Sequence, residues 1–584
     1  NRLLGTIDPK NTIKELPNPE GENNNELYTN NQKGFEFFVT DNYATAIYPP
    51  DFAMINTKDH FILKASTSSV PVKKGNYIFQ IDTTAYFNSP IKETGKVESE
   101  GGLITFQPKL ALVADRVYYW RVSPDSTISE GYKWSSASFA YLPGEDEGWN
   151  QSHFFQFQQN EFTDLELSEE TGRKFEFGNI YRNIKIRNKL WDIDDKPGYS
   201  HNNILFASSL AWEFLDAGIG IILNNQVNFW EPIVPSGGAY GSFNPTGNAL
   251  DVYAFKTNSA EDRKKVMDFI ENQVKGGKYM SFYTIQKNTD SDYKPKDWAL
   301  DSLIYGKSLF TVLEKLGAQK VRELERKGSV PYILQLYNGK EGVLSELVAN
   351  SINDIIENTA RYYNKNLNGN SKSSSIGPTI KWDNLKFNYI ENQGLNEKAS
   401  LNIYGITNLD VGIKIDSNLQ TNKILNIDDK SFKAIKVESI TYDSLERTSP
   451  QLKFWRVSYS SLPDASISYI KSEPNFSSNE IKQGEKVKIF YDVTNVNFVS
   501  MDSVLVKYTY IGSDNHANVN YKKLGKLLSG QKISDMIEFN IGAGNITDVR
   551  LIIEINPDNN QPELNLFNNT LTVQFGVKRD QTNP

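Results

Sequence analysis

Four histidines, His60, His153, His201 and His516, are the residues best suited to acid–base or metal chemistry at neutral pH. They lie in four separate segments, and no two have the spacing of a metal-binding pair. The sequence contains no cysteine, which excludes a thiol nucleophile, thiolate metal ligands and disulfides. No Gly-x-Ser-x-Gly motif marks a serine nucleophile, and 71 acidic residues are too many to single out a glycosidase pair. We therefore predict a chain that is not an enzyme, while a triad assembled in space or another unrecognised site stays open.

A binding site is the more promising chemistry, and its candidates lie in the central stretch 204–349. Its loops hold aromatic side chains beside polar ones, and we select Trp230, Tyr240, Asp297 and Trp298 as candidate ligand-binding residues. Aromatic ring faces with carboxylates nearby suit a sugar, which stacks its apolar face and offers hydroxyls for hydrogen bonds. The alternative for each residue is structural, with Trp298, for example, packing on a sheet at the start of a helix.

A second group of candidates is an acidic turn, Trp191-Asp-Ile-Asp-Asp195. Clustered carboxylates suit a hard cation, so Asp192, Asp194 and Asp195 are candidate calcium ligands. The turn lacks the spaced ligands and the glycine of an EF-hand loop, and a solvated acidic turn is the alternative. No other cofactor is predicted.

The stretch 204–349 is the only part of the sequence that alternates strands with helices. A buried strand is predicted at 218–223, and a helix begins at Ser259, with Asp262 three residues later as in a capping box. Gly276-Gly277 ends that helix. A strand at 279–285, a helix containing Leu309, Leu313 and Leu316, and a strand at 330–336 follow.

Several spaced glycine and apolar blocks of this stretch resemble the interleukin-like EMT inducer (ILEI) domain. They are Gly218-Ile-Gly-Ile-Ile-Leu-Asn224, Gly277-Lys-Tyr-Met280, Leu313-Glu-Lys-Leu-Gly317-Ala and Gly339-Lys-Glu-Gly342. The resemblance covers about a quarter of the chain and implies a non-catalytic module for signalling or sugar binding. The vertebrate secreted members carry disulfides and this chain has none, so the likeness is to the fold.

The remainder of the chain is predicted to be β. Residues 35–143 contain Asp115-Arg-Val-Tyr-Tyr-Trp-Arg-Val122 and Lys133-Trp134, and they resemble a fibronectin type III sandwich. We expect Tyr118, Trp120 and Trp134 to be core residues, with sugar stacking as the alternative.

Residues 144–203 and 350–465 are each too short for a complete sandwich. We predict that together they form one jelly-roll or discoidin-like sandwich, split by insertion of the α/β block at a loop tip. Two independent small β-units are the alternative. Within the second half, Ser351–Asn366 is predicted to be weakly helical and Asn368–Ser375 to be a linker.

The last predicted sandwich, 466–577, contains Asn556-Pro-Asp-Asn-Asn-Gln-Pro-Glu563. This turn resembles the last hairpin of bacterial CARDB (cell-adhesion-related) domains. Its Asn, Pro and Asp are primarily turn residues, and Asp558 and Glu563 as metal ligands are the alternative. Residues 1–34 and 578–584 are predicted to be polar tails.

Net charge and hydropathy limit the classes of partner that we expect for this chain. The formal net charge is −8 with a pI of about 5.4, and no basic run interleaves with aromatic residues, so a nucleic-acid partner is not expected. No apolar stretch reaches the length of a transmembrane helix, and no signal peptide is visible. The first residue is Asn1 and not Met, so we expect a leader or a larger upstream part.

A wider resemblance covers about 140–584. Gly148-Trp-Asn-Gln-Ser-His153, Ser449-Pro-Gln-Leu-Lys-Phe-Trp-Arg-Val457 and the Asn556–Glu563 turn are similar to the region downstream of the peptidase domain in PorU-related, gingipain-type proteins of the type IX secretion system. The resemblance implies an outer-membrane-associated surface or secreted protein of a Gram-negative bacterium, with outer-membrane or secretion-system proteins and glycans as partners. The family's peptidase uses a Cys-His pair, and this chain has no cysteine. Two alternatives therefore stay open: the peptidase domain lies outside this chain, or the protein has none. A stand-alone carbohydrate-binding protein that uses the ILEI-like domain is the alternative.

Overall fold

The structure is a computed structural model of the 584-residue chain. It describes residues 2–6, 32–36, 43–57, 61–67, 74–126, 131–190, 198–201, 204–207, 215–225, 252–339, 342–390, 396–428, 430–475, 481–512, 517–541 and 548–578. Among the described residues, strands account for 51% and helices for 9%, and the predicted mainly β, multidomain fold class is confirmed. None of the helices in these ranges is both long and apolar enough to span a bilayer.

The N-terminal part is a sandwich with an aromatic core. Strands β3, β5 and β8 form one sheet, which packs on β4, β10, β9, β6 and β7 of a larger sheet. The predicted core residues Tyr118 and Trp120 are buried between the sheets, whereas Trp134 is half-buried with Arg121 4.1 Å above its ring. Within the predicted tail, β1 pairs with β2, so that segment contains regular structure. The elements up to residue 177 are β1 (Arg2–Thr6), β2 (Gln32–Glu36), β3 (Thr45–Tyr48), β4 (Ala53–Ile55), β5 (Leu63–Ser66), β6 (Gly75–Asp82), β7 (Glu93–Ser99), β8 (Leu103–Phe106), β9 (Arg116–Pro124), β10 (Ser135–Tyr141), β11 (Gly148–Gln151), α1 (Phe154–Phe157), β12 (Glu161–Thr163), β13 (Leu165–Leu167) and β14 (Phe175–Phe177).

The central α/β block follows. Its elements are β15 (Asn179–Asn188), β16 (Gly198–His201), β17 (Ile204–Ala207), β18 (Ala217–Asn225), β19 (Tyr253–Phe255), α2 (Ala260–Gln273), β20 (Lys278–Gln286), a 3-10 helix (Pro295–Leu300), α3 (Asp301–Tyr305), α4 (Leu309–Lys315), α5 (Glu323–Lys327), β21 (Tyr332–Tyr337), β22 (Gly342–Val348) and β23 (Ile356–Lys365). The order β19-β18-β20-β21-β22 is antiparallel throughout. Helix α2 begins with the predicted capping box, in which Ser259 and Asp262 bond each other's backbone N–H.

The five-stranded sheet is buried on both faces. The helices cover one face, where Phe269, Phe310 and Leu313 contribute to a common core. Strands β15 and β23 cover the other, and Tyr362 stacks on Tyr279 with 4.2 Å between ring centroids. The packed unit therefore extends beyond 204–349, to about 179–365.

The weakly helical prediction for Ser351–Asn366 is wrong, because most of this segment is β23. It pairs with β15 over ten positions, from Asn179 opposite Lys365 to Asn188 opposite Ile356. Ala360, Tyr362 and Asn364 are buried while their neighbours are half-buried or exposed, which is the two-residue period of a strand. The predicted linker Asn368–Ser375 also contains a strand, β24.

Strands on both sides of the block share two sheets. One has the order β12-β24-β29-β26-β27, and the other is nine-stranded, β28-β25-β30-β11-β4-β10-β9-β6-β7. In the nine-stranded sheet β11 pairs with β30 on one side and with β4 on the other, so the sheet crosses the predicted boundary at 143 without a break. The remaining strands are β24 (Asn368–Lys372), β25 (Lys381–Ile390), β26 (Lys398–Ile406), β27 (Gly412–Leu419), β28 (Lys423–Ile424), β29 (Ala434–Tyr442) and β30 (Gln451–Ser460).

The last sandwich packs a three-stranded sheet, β31-β33-β36, on a five-stranded one, β32-β38-β37-β34-β35. It also contacts the N-terminal sandwich, because Leu103 N–H donates to Ser468 Oγ at 2.9 Å and Phe498 packs edge-on against Tyr48. Its strands are β31 (Ala465–Glu473), β32 (Ile481–Lys482), β33 (Lys486–Asn495), β34 (Leu505–Ile511), β35 (Ala517–Lys523), β36 (Lys532–Asn540), β37 (Asp548–Ile555) and β38 (Thr570–Lys578).

Candidate functional site

Two of the candidate ligand-binding residues are described by the structure. Asp297 and Trp298 lie next to each other in the 3-10 helix of the α/β block. Trp230 and Tyr240, and the candidate calcium ligands Asp192, Asp194 and Asp195, lie outside the described residues.

Trp298 is part of the core beneath the site. Its side chain is fully buried, with ring centroids 5.2 Å from Phe310 and 5.9 Å from Tyr293. No ring face of Trp298 is exposed for stacking on a sugar. Its indole supports the backbone that carries Asp297.

Asp297 lines an open cleft of about 570 Å³. Its carboxylate is half-exposed. The cleft is polar and carries charges of both signs, with no aromatic side chain among the described residues that line it, which are Thr289, Asp290, Ser291, Asp292, Lys294, Pro295, Lys296, Asp297, Lys327, Gly328, Ser329 and Ile352.

A hydrogen-bonded loop shapes one wall of the cleft and ties it to the other. Asp292 Oδ1 accepts from Lys294 N–H and from Ser329 Oγ, both at 2.6 Å. Lys294 has a left-handed backbone, with φ of 55°, and reverses the chain into Pro295 at the start of the 3-10 helix. Asp292 therefore links the turn to the opposite wall of the cleft.

Tyr293, which lies between two residues of the cleft wall, anchors that wall to the core. Its buried hydroxyl donates to the carbonyl of Val330 at 2.7 Å, and its own carbonyl accepts from Thr257 Oγ1 at 2.9 Å. Burial raises the pKa of the Tyr293 phenol far above its ordinary value, so this hydroxyl stays protonated at neutral pH.

A buried ion pair joins α2 to the segment that carries Asp297. Arg263 Nε and Nη2 donate to the two carboxylate oxygens of Asp301 at 2.7 and 2.8 Å, and Nη1 donates to the carbonyl of Thr257 at 3.0 Å. Both side chains are nearly inaccessible to solvent. This bidentate geometry restricts the rotation of the 3-10 helix and α3 on the core.

An exposed aliphatic patch directly follows the cleft along the chain. Leu300, Leu303 and Ile304 are 57%, 86% and 64% exposed. Single exposed aliphatic residues are ordinary, but three close together on one short helical segment favour contact with another molecule.

The site therefore provides hydrogen bonds and charges of both signs beside an apolar surface. Within the described ranges, no three or more His, Asp or Glu residues are grouped closely enough to hold a metal ion. Ser291 and Ser329, two hydroxyl-bearing residues of the cleft, bond to Asn288 and Asp292. These are properties suited to binding a polar ligand or a protein surface.

Sequence analysis found Asp297 but missed its neighbours in the cleft. The segment Asp290–Lys296 has two aspartates followed by two lysines that flank a proline, which predicts a polar loop. Nothing in that pattern indicates that the opposite wall is formed by Lys327, the last residue of α5, and by Ser329, two residues later.

A scan of protein-family models finds no match to this chain. A search of the curated proteins finds none either.

Solved structures with similar parts include small β domains. A CARDB domain from Pyrococcus furiosus is 14% identical, covers 20% of this chain and 90% of its own, and has a TM-score of 0.17. A domain described as part of a cell surface protein of Methanosarcina acetivorans is 16% identical, covers 21% of this chain and 97% of its own, and has a TM-score of 0.16. A Bacteroides uniformis β-glucuronidase is 11% identical, covers 35% of this chain and 26% of its own, and has a TM-score of 0.14.

Proposed function

We propose that this chain is a non-catalytic recognition region of a PorU-related surface or secreted protein of a type IX-secreting bacterium, and that its ILEI-like α/β block contacts the partner. The observation that carries the proposal is the cleft at Asp297 with the aliphatic patch beside it. A charged, polar cleft next to exposed leucines resembles the polar rim and apolar centre of a protein interface.

The test is binding of the purified chain to outer membranes from a type IX-secreting bacterium, measured by co-sedimentation. Asp297→Lys reverses a charge in the cleft and Leu303→Asp disrupts the apolar patch, so each is expected to reduce binding at least tenfold. Asp502→Lys, at an exposed residue of the last sandwich, is the matched control. Unchanged binding by both block variants would contradict the proposal.

Carbohydrate binding is the second candidate, and the polarity of the cleft favours it, because sugars need several hydrogen-bonding groups. The lack of an aromatic ring among the described lining residues weighs against it. A glycan array with the folded chain separates the two. Binding to a defined glycan that Asp297→Asn abolishes supports the carbohydrate candidate, and binding to membranes without any glycan signal supports a protein partner.

A further inference from the structure

A second cavity lies where the three β-sandwiches meet, distant in sequence from the cleft. Its volume is about 50 Å³, far below the roughly 300–1,000 Å³ of typical sites for drug-sized ligands. Its walls come from the first sandwich, the strands around residues 147 and 460, and the last sandwich. The lining residues are Tyr48, Pro49, Pro50, Ala53, Met54, Ile55, Glu147, Gly148, Tyr459, Ser461, Asn497, Phe498, Val499 and Leu564.

Glu147 is the only charged residue among those that line the cavity. Its side chain is half-buried, and burial raises the pKa of its carboxyl above the ordinary value. Across the described part of the chain, no donor or cation bonds this carboxylate. Nearby Glu145 differs, because Lys386 Nζ binds it at 2.6 Å.

The other charged groups close by are engaged elsewhere. Lys64 lies 5.1 Å from the ring centroid of Tyr48, but its ammonium donates to the carbonyl of Val496. Arg456 donates to Asn150 Oδ1 at 3.1 Å and lies 3.7 Å from Glu145. None of the residues that the structure describes therefore supplies a counter-ion to Glu147.

Aromatic rings flank the carboxylate. Burial raises the pKa of the Tyr459 phenol to about 12, and the charge of Glu147 adds to this. Burial and the same charge also raise the pKa of Tyr48. Phe498 packs edge-on against Tyr48 at 5.8 Å and is 55% exposed.

We propose that this cavity binds the side chain of a lysine residue carried by a partner polypeptide, with the ammonium against Glu147 and the methylene stem along the apolar wall. A carboxylate without a bonded donor favours a cationic ligand, and the aromatic side chains of Tyr48 and Phe498 line the same cavity. A compact ammonium fits the small volume with one carboxylate as acceptor, whereas a guanidinium has five donors to satisfy. This site is separate from the cleft of the α/β block, so the proposal does not depend on that function.

The test uses saturation-transfer NMR on the full chain with N-acetyl-lysine methylamide as the probe. The neutral N-acetyl-norleucine methylamide, which keeps the four side-chain carbons of lysine and lacks the ammonium, is the ligand control, and putrescine reports whether a free diamine binds as well. We expect saturation transfer from the protein to the lysine probe only, and at least tenfold weaker binding of that probe to Glu147→Gln. Asp146→Asn, which removes an exposed carboxylate one residue away, is expected to bind like the wild type.

Phe498→Ala gives a second measurement at an exposed position, and a several-fold loss of affinity is expected because the mouth of the cavity loses its ring. Equal binding of the norleucine probe, or unchanged lysine binding by folded Glu147→Gln, would overturn the proposal. Preferential binding of putrescine would overturn the assignment to a polypeptide side chain.

Discussion

Asp464 and Glu563 are two carboxylates buried at the base of the last sandwich. Asp464 accepts from Asn565 and Asn568 at 2.8 and 3.0 Å. Glu563 accepts from Asn556, Asn569 and the N–H of Ala465, each at 2.7 Å. In the alternative considered from sequence, Glu563 is a metal ligand, whereas in the structure it organises the turn through protein hydrogen bonds.

The burial of Asp464 predicts a pH dependence of stability. Burial raises its pKa from the ordinary 3.8 to about 6, against the opposing hydrogen bonds. The folded state therefore holds the proton more tightly, and this contribution is complete below the ordinary pKa and is lost as pH rises through about 6. From pH 4 to 7, wild-type stability should fall relative to Asp464→Asn by on the order of 1–3 kcal/mol.

Calorimetric melting temperatures of wild type and Asp464→Asn across this pH range measure the effect. Asp502→Asn, which removes an exposed carboxylate of the same sandwich, should follow the wild type. A constant difference between wild type and Asp464→Asn at all pH values would refute the prediction.

Adjacent residues show how far residue type predicts a site. Asp297 and Trp298 are both reasonable sugar ligands by type, yet Asp297 lines the cleft while Trp298 is fully buried. Sequence alone offered both roles for Trp298, because a tryptophan's large apolar surface suits a core and a binding face equally. Which of the two applies depends on Phe310 and Tyr293, whose positions are fixed only by the tertiary fold.

At the scale of elements, we predict that breaking the Arg263–Asp301 pair greatly lowers the local stability of the segments that it joins. Arg263→Met leaves the carboxylate of Asp301 buried without its partner, and breaking such a pair costs about 3–5 kcal/mol. The double variant Arg263→Met/Asp301→Leu should be less destabilised than Arg263→Met, because no charge is then left buried. Hydrogen-exchange mass spectrometry of the peptides spanning 257–305 measures the change in local opening.

The control is a half-exposed pair on the same helix, Lys264 with Asp268 at 2.5 Å. Lys264→Met should change the free energy of local opening, as measured by hydrogen exchange, by less than about 1 kcal/mol. Equal effects of the Lys264 and Arg263 variants would show that the buried pair does not hold α2 to α3.

Element prediction was most accurate where local signals were strong. The capping box at Ser259 and Asp262 is present at the start of α2. The strand β23 was misassigned because its chain-local pattern is weak, and its ten-residue pairing with β15 supplies the stability. Such long-range pairing overrides local propensity and cannot be read from one segment.

At the scale of the whole molecule, the sequence suggested a split sandwich because each flanking β segment was too short. The pairing of β4 with β11, which merges the first two sandwiches into one sheet, had no sequence signal. Both strands are short, with three and four residues, and their neighbours are distant along the chain.

Because the two ends of the α/β block lie close together, we predict that the block can be removed without unfolding the remainder of the chain. Asn366 N–H donates to the carbonyl of Gly178 at 2.8 Å, and Asn179 lies opposite Lys365. The chain therefore enters and leaves the block at adjacent points. Replacing residues 180–364 with Asn-Gly should close a two-residue hairpin and leave the core of the split sandwich intact, because that core contains no residue of the block. The shortened chain should keep cooperative melting within a few degrees of the wild type, and residues 179–365 should fold alone.

The comparison deletion removes only 204–349, the boundaries predicted from sequence. That variant retains β15 and β23 but removes the sheet on which Ile184, Ile186 and Tyr362 pack. Newly exposed apolar strands are prone to aggregation, so we expect it to be insoluble or to bind a hydrophobic dye. The opposite outcome would be a 204–349 deletion that is soluble and melts cooperatively, together with a 180–364 replacement that is unfolded. That outcome would support the boundaries predicted from sequence and would contradict the packing of β15 and β23 on the block.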